Sequence, residues 1–357
     1  MKVVTVVGAR PQFVKAAPVS RALRAAGVEE LLVHTGQHYD RAMSQVFFDE
    51  LGLPPPAVNL EVGSGHHGWQ TGTMLARVEE VLLREQPERV LVYGDTNSTL
   101  AGALAAAKLR IPLAHVEAGL RSFDRDMPEE TNRVLTDHCA DLLLCPTRTA
   151  VEQLAREGIT RGVHLVGDPM FDAVLENLER ARARPGLAAA LGLTPGRYLL
   201  ATVHRPANTD DPGVLRGLLQ ALEAIGEPVL FPVHPRTRVR IEALSPALAL
   251  RRVLLHEPLG YLDSLRLQSE ARLVLTDSGG VQKEAYFLGV PCLTLRAATE
   301  WVETVQAGWN LLVGSDPAAI ERAARSFAPR GERPALFGDG HAAAAIARVL
   351  RSAPASS

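Results

Sequence analysis

Acidic residues in three loops of this sequence stand where a folded chain could use them to move protons. The apolar run Val90-Leu91-Val92-Tyr93 leads through Gly94 to Asp95, and Leu113-Ala114-His115-Val116 leads to Glu117. Pro128 opens a helix with Glu129 and Glu130 in its first turn. Taken singly, a proline followed by two acids is ordinary helix N-terminal chemistry. Carboxylates from three loops that converge are a different matter, because together they can act as general acid and general base. Such a cluster is expected to raise the pKa of its own members, so that one stays protonated near neutrality. Two further apolar runs end in His204-Arg205 and His234-Pro235-Arg236. The other histidines, His34, His38, His66, His67, His115, His138, His164, His256 and His341, read as packing or surface groups. Their only metal-like spacing is the faint pair His34 and His38, and no metal is expected.

Two turns are suited to an anion. Gly8-Ala9-Arg10-Pro11-Gln12-Phe13-Val14-Lys15 lacks both the G-x-G-x-x-G spacing of a dinucleotide site and a P-loop. It leaves Arg10 at the mouth of a tight turn and Lys15 on the helix behind it, either anion-facing or simply solvated. Thr276-Asp277-Ser278-Gly279-Gly280-Val281-Gln282-Lys283-Glu284 reads as strand, turn and helix start. Its glycines permit close backbone approach, its first amides can donate to a diphosphate, and Glu284 lies within reach of ribose hydroxyls. The competing reading is a plain turn capped by Asp277 or Ser278. The echo of a serine nucleophile box in Asp277-Ser278-Gly279-Gly280 is accidental, since Thr276 stands where G-x-S-x-G needs glycine.

All of these groups follow short apolar runs, so the elements that position them are parallel strands joined by crossover helices. Strands are expected at 2–8, 29–34, 89–94, 112–116, 141–145 and 163–166, and again at 197–203, 228–231, 252–255, 272–276, 291–295 and 310–313. Each set can form one doubly wound sheet. The segment from Gly167 to Gly196, with an arginine-rich helix from Leu178 to Arg184, reads as the connection. A last helix spans 340–352. The fold class is therefore α/β, with two Rossmann-like parallel-sheet domains facing a central cleft, where the carboxyl ends of such sheets bind ligands.

The 357 residues are 46% hydrophobic and 22% charged, and Lys+Arg of 38 against Asp+Glu of 40 leaves a net charge of -2. That balance argues against a nucleic-acid or anionic-membrane surface. Cys139, Cys145 and Cys292 form no disulfide framework, in keeping with reducing cytosol. The opening apolar run is too short for a signal peptide, and no run reaches the length of a membrane span.

Taken together, Gly8-Ala9-Arg10-Pro11-Gln12, Thr35-Gly36-Gln37-His38, Gly94-Asp95-Thr96, His115-Val116-Glu117-Ala118-Gly119-Leu120-Arg121, Pro128-Glu129-Glu130, Asn132-Arg133, His204-Arg205, His234-Pro235 and Asp277-Ser278-Gly279-Gly280 resemble the non-hydrolysing UDP-N-acetylglucosamine 2-epimerases. The resemblance runs from residue 1 to about 314. It implies a glycosyltransferase-B fold, with an N-terminal domain over 1–167, a UDP-binding domain over 168–339, and the helix 340–352 packed back on the first. It implies reversible inversion at C2 of UDP-GlcNAc to give UDP-ManNAc, without a cofactor, in a cytoplasmic homodimer. Asp95, Glu117 and Glu129 match that family's essential acids and His204 its cleft histidine. Arg10, Arg133, Ser278, Gly279, Gly280 and Glu284 match its substrate-binding set, with Lys15, His234 and Arg236 as further candidates.

The C2 proton has no neighbouring carbonyl to acidify it. Without a dinucleotide fingerprint, elimination of UDP to 2-acetamidoglucal and re-addition is the route expected, with one proton-handling group on each face of the sugar. The chain departs from the family at Ala207, where a glutamate is usual, at Thr299-Glu300-Trp301-Val302-Glu303 in place of Thr-Glu-Arg-Pro-Glu, and at Tyr39-Asp40 before Arg41. Rival readings are the hydrolysing 2-epimerase and a glycosyltransferase of the same fold.

Overall fold

The computed structural model describes residues 1–37, 48 and 50–353. His38 and the Tyr39-Asp40-Arg41 departure lie outside them. The chain divides into two units, Met1–Leu175 with Ala335–Ser357, and Glu176–Pro334.

In the first unit the strands are β1 (Lys2–Val7), β2 (Glu29–His34), β3 (Val58–Asn59), β4 (Arg89–Tyr93), β5 (Leu113–Val116), β6 (Leu142–Cys145) and β7 (Val163–Leu165). They form one parallel sheet in the order β3-β2-β1-β4-β5-β6-β7. Helices cover both faces, so strand residues such as Val4, Val6, Val90 and Val92 are fully buried, which is why the strands read as unbroken apolar runs. The helix Asn97–Leu109 lies close against this sheet at Gly102, where a Cβ would stand 3.0 Å from Val92 Cγ1 and 3.3 Å from Val6 Cβ.

The second unit repeats the plan. Its strands are β8 (Leu199–Thr202), β9 (Val229–Pro232), β10 (Val253–His256), β11 (Leu273–Thr276), β12 (Cys292–Thr294) and β13 (Asn310–Leu312), in the parallel order β10-β9-β8-β11-β12-β13. Leu199, Leu273, Leu275, Phe231 and Leu293 centre one core, with Leu218, Leu219 and Ile320 from the covering helices.

Twelve of these strands fall where the apolar runs placed them. β3 was not anticipated, because a two-residue edge strand carries no periodicity; its pairing Val33↔Val58 and His34↔Asn59 is set by β2. The helix expected from Leu178 instead runs Pro169–Arg182. It starts early because the Asp168 carboxylate accepts from the Met170 amide at 2.8 Å, and the division between units falls inside it. The last helix, Ala342–Ser352, packs on Arg10–Ala25 and donates its first amides, Ala342 and Ala343, to the Asp172 carboxylate at 3.1 and 2.7 Å. Among the described residues no helix is long and apolar enough to cross a membrane.

Both sheet orders reverse direction once, between β1 and β4 and between β8 and β11. Loops leaving neighbouring strands on either side of such a reversal diverge and leave a crevice at the carboxyl edge. The chemistry-bearing loops follow these strands.

Candidate active site

At the first crevice the turn after β1 is built around Gln12. Its Oε1 accepts from the Gly8 and Ala9 amides at 2.7 and 3.0 Å, while its Nε2 donates to the Tyr93 carbonyl at 2.8 Å and to Thr99 Oγ1 at 2.9 Å. One buried side chain thus ties the turn after β1 to the end of β4. Gly8 is required by contact, since a Cβ there would stand 2.1 Å from both Ser98 Oγ and Thr35 Oγ1. Arg10 begins the helix behind this turn and is half-buried.

The acids are set against cations rather than against one another. Glu117 is buried and pairs with Lys15, itself buried and therefore not the solvated charge that one reading of the sequence allowed. Glu117 has φ 72, a left-handed backbone rare for a residue with a Cβ, of the kind that concentrates at functional sites. Its amide and that of Ala118 donate to the Leu144 carbonyl at 3.0 and 3.3 Å, which holds the turn. Gly94, also left-handed at φ 63, faces this pair, with a hypothetical Cβ 3.1 Å from Glu117 Oε2.

Asp95 accepts from Arg133 at 2.5 Å, and the other arm of the same guanidinium donates to Glu130 at 2.9 Å. Glu130 also accepts from the Ser122 amide and hydroxyl at 2.9 and 2.8 Å and from the Phe123 amide at 3.0 Å. Asn132 donates to the Asp95 carbonyl at 2.9 Å and to Asn97 at 3.1 Å. Glu129, one residue earlier on the helix Pro128–Cys139, is half-buried and makes no ion pair among the described residues. Two buried cations, Lys15 and Arg133, pair with three of the four acids, Arg133 being shared between Asp95 and Glu130. Both Glu129 and Glu130 suit a helix N-terminus by sequence; the structure separates them, with Glu130 bracing the loop and Glu129 making no ion pair among the described residues.

Beneath both acid loops lies a buried network around His115, one of the histidines that read as packing or surface groups in the sequence. His115 contacts Asp137 through Nδ1 and the Gly94 carbonyl through Nε2, both at 2.7 Å. Asp137 accepts in addition from the Gly119 amide at 3.1 Å and from Arg121 at 2.7 Å, and Arg121 reaches Glu157 at 2.6 Å. Burial works to raise Asp137, but the hydrogen bond and charge of His115, with Arg121, outweigh it and hold the carboxyl below its ordinary value.

In the second unit, the loops after β8 and β11 meet at Asp277. This buried carboxylate accepts from the His204 amide at 3.1 Å, the Arg205 amide at 3.0 Å and Asn208 Nδ2 at 3.0 Å. It also lies 3.2 Å from His204 Nδ1, so it orients an imidazole whose side chain stays 49% exposed. Burial pushes Asp277 up, and these donors bring it below its usual value. Asp277 thus faces the β8 loop rather than capping a helix. Ser278 holds the N-cap position of Gly279–Leu288 without a side-chain cap bond. The first-turn amides have no acceptor within the helix, as an anion site requires.

Gly279 lies against Glu300, whose Oε1 would stand 2.2 Å from a Cβ. Trp301, where the resembled family has arginine, is buried beneath Lys283, whose Nζ lies 4.0 Å from the ring centroid. Glu284 is buried, accepts from Gln268 Nε2 at 2.7 Å, and is pushed by burial up to about 7. His234 caps Pro235–Glu242 by accepting from the Arg236 amide at 3.3 Å, while the Arg236 guanidinium is paired with Asp210 at 2.8 Å. Ala207 is exposed on the short helix Pro206–Thr209, next to the buried Asn208.

A family model described as UDP-N-acetylglucosamine 2-epimerase matches residues 21–351. The chain is 52% identical over 357 residues to a UDP-N-acetylglucosamine 2-epimerase homolog of Methanococcus maripaludis, with 99% of this chain and 100% of the relative covered. It is 49% identical over 359 residues to the UDP-2,3-diacetamido-2,3-dideoxy-D-glucuronate 2-epimerase of Pseudomonas aeruginosa, covering 98% and 99% of the two chains. The crystal structure of the Methanocaldococcus jannaschii UDP-GlcNAc 2-epimerase in complex with UDP-GlcNAc and UDP matches with a TM-score of 0.91 at 42% identity, over 99% of this chain and 100% of that one. The two parallel-sheet units are accordingly those of a glycosyltransferase-B-type fold, and the chain belongs to the UDP-N-acetylglucosamine 2-epimerase family.

Proposed function

We propose that this chain interconverts UDP-GlcNAc and UDP-ManNAc without releasing free sugar. A base removes the C2 proton as the anomeric C1–O bond breaks, the electron pair forms the C1=C2 bond, and UDP departs to leave 2-acetamidoglucal. UDP then re-adds at C1 while C2 is protonated on its other face. The observation that carries the reading is the setting of Asp95 and Glu117, at the carboxyl ends of adjacent strands β4 and β5, each held by a buried cation in a turn that is left-handed at Gly94 and at Glu117. Two faces need two proton-handling groups, and Asp95, Glu117, Glu129 and His204 supply the candidates. Lys15 and Arg133 then act by orienting the acids.

UDP is assigned to Arg10 and Arg236 as cations with His234 beside them, to the turn Ser278, Gly279 and Gly280 for the diphosphate, and to Glu284 for the ribose. The same reading places the enzyme in the cytoplasm as a homodimer.

Incubation with UDP-GlcNAc in D2O, followed by NMR, tests the proposal. Deuterium should enter C2 and an equilibrium mixture with UDP-ManNAc should form; stoichiometric ManNAc and UDP would favour the hydrolysing reaction instead. The 49% identity to an epimerase of UDP-2,3-diacetamido-2,3-dideoxy-D-glucuronate favours a second substrate for the same C2 chemistry. That nucleotide sugar belongs in the same assay.

A further inference from the structure

The fully buried His115 belongs to neither the acids nor the nucleotide turn, yet it meets the backbone of one acid loop directly and that of the other through Asp137. Its Nε2 meets the carbonyl of Gly94, the oxygen of the very peptide that carries the Asp95 amide. Its Nδ1 meets Asp137, whose other oxygen holds the Gly119 amide two residues beyond Glu117. A carboxylate and a carbonyl both accept, so the ring donates through both nitrogens. Gly94 and Gly119 are left-handed, at φ 63 and 83, so each loop turns sharply at the point where the network grips it. The ladder bond from the Gly94 amide to the Val116 carbonyl at 2.9 Å fixes the preceding Tyr93–Gly94 peptide, and His115 fixes the Gly94–Asp95 peptide that follows.

We infer that His115 is a positioning residue that sets the distance and orientation between Asp95 and Glu117 by clamping the Gly94–Asp95 peptide, with Asp137 orienting its ring. The inference rests on the proton-handling roles assigned above. It is chemically specific: of the two ring bonds, the one to Gly94 governs the reacting geometry, and the one to Asp137 serves to orient the ring. Misplacement of a reacting group by about 1 Å lowers turnover on the order of a hundredfold, whereas uniform binding is untouched.

Two substitutions separate the bonds. A glutamine amide nitrogen takes the place of Nε2, so His115→Gln keeps the donor to Gly94 and loses Asp137. An asparagine amide nitrogen takes the place of Nδ1, so His115→Asn keeps Asp137 and loses Gly94. Each removes one buried hydrogen bond, and the melting temperature of each variant is measured first. Turnover and KM for UDP-GlcNAc are measured well below those temperatures. His115→Asn should lose on the order of a hundredfold in kcat with KM within about threefold of wild type, while His115→Gln stays within about threefold in kcat.

Asp137→Asn, which leaves the Gly94 bond in place, should side with His115→Gln. Equal kcat in the two His115 variants, or loss in Asp137→Asn as deep as in His115→Asn, overturns the inference while leaving the function standing. A wild-type protein that exchanges the C2 proton of neither nucleotide sugar overturns the functional reading and this inference with it.

Discussion

Glu284 is predicted to destabilise its own unit at neutral pH. Its carboxyl rises from an ordinary 4.5 to about 7, first because burial penalises the charged form, with Gln268 and Lys283 only partly offsetting it. Because the folded-state value lies above the unfolded one, the group's favourable contribution is complete below pH 4.5 and is lost as pH rises through about 7. At about 1.4 kcal/mol per pH unit, the difference amounts to about 3 kcal/mol at pH 8. Glu284→Gln removes the charge and keeps the shape, at the expense of about 1 kcal/mol for a mismatched Gln268 contact.

The variant should therefore be close to wild type in stability at pH 5 and about 2 kcal/mol more stable at pH 8. That corresponds to a rise of roughly 4–8 °C in Tm for a unit of this size. Thermal melts of both proteins at pH 5, 6, 7 and 8 check this. A Tm difference that does not change with pH, or a variant less stable at pH 8, refutes the argument. The same substitution should weaken UDP binding above pH 7, where the assigned ribose acceptor is ionised, so stability and affinity move in opposite directions.

Replacing Glu117 or Glu129 by glutamine should leave UDP affinity intact and lower kcat on the order of a hundredfold, read by product NMR; near-normal epimerisation with intact melting removes that residue from the catalytic set. Arg133→Met strips the shared cation from Asp95 and Glu130 and should lower stability by about 3 kcal/mol in denaturant titration, because it leaves buried charge uncompensated. Gly279→Ala should weaken UDP binding measured by calorimetry, since the added Cβ meets Glu300 Oε1, and Arg296 holds the other oxygen of that carboxylate at 3.0 Å; unchanged affinity would detach this turn from the nucleotide.

The sequence by itself determined the strands and the loops that carry chemistry. A parallel strand covered on both faces must be apolar throughout, so twelve strands are visible as runs, and the functional loops are contiguous stretches that follow them. Local spacing also sufficed to exclude a dinucleotide fingerprint and to single out Asp95, Glu117 and the turn at Ser278. What only the tertiary structure decided is which charge faces which. Lys15 lies 102 residues from Glu117, Arg133 38 from Asp95, Asp137 22 from His115, and Asp277 73 from the His204 amide. These partners meet because the sheet orders set β1 beside β4, β4 beside β5 and β8 beside β11, a matter of crossover topology rather than of neighbours in the chain. Read as a line, Lys15 is a cation suited to an anion, His115 is packing and the acids repel one another. Folded, the cations come between the acids, because a buried carboxylate without a counter-charge would not be stable.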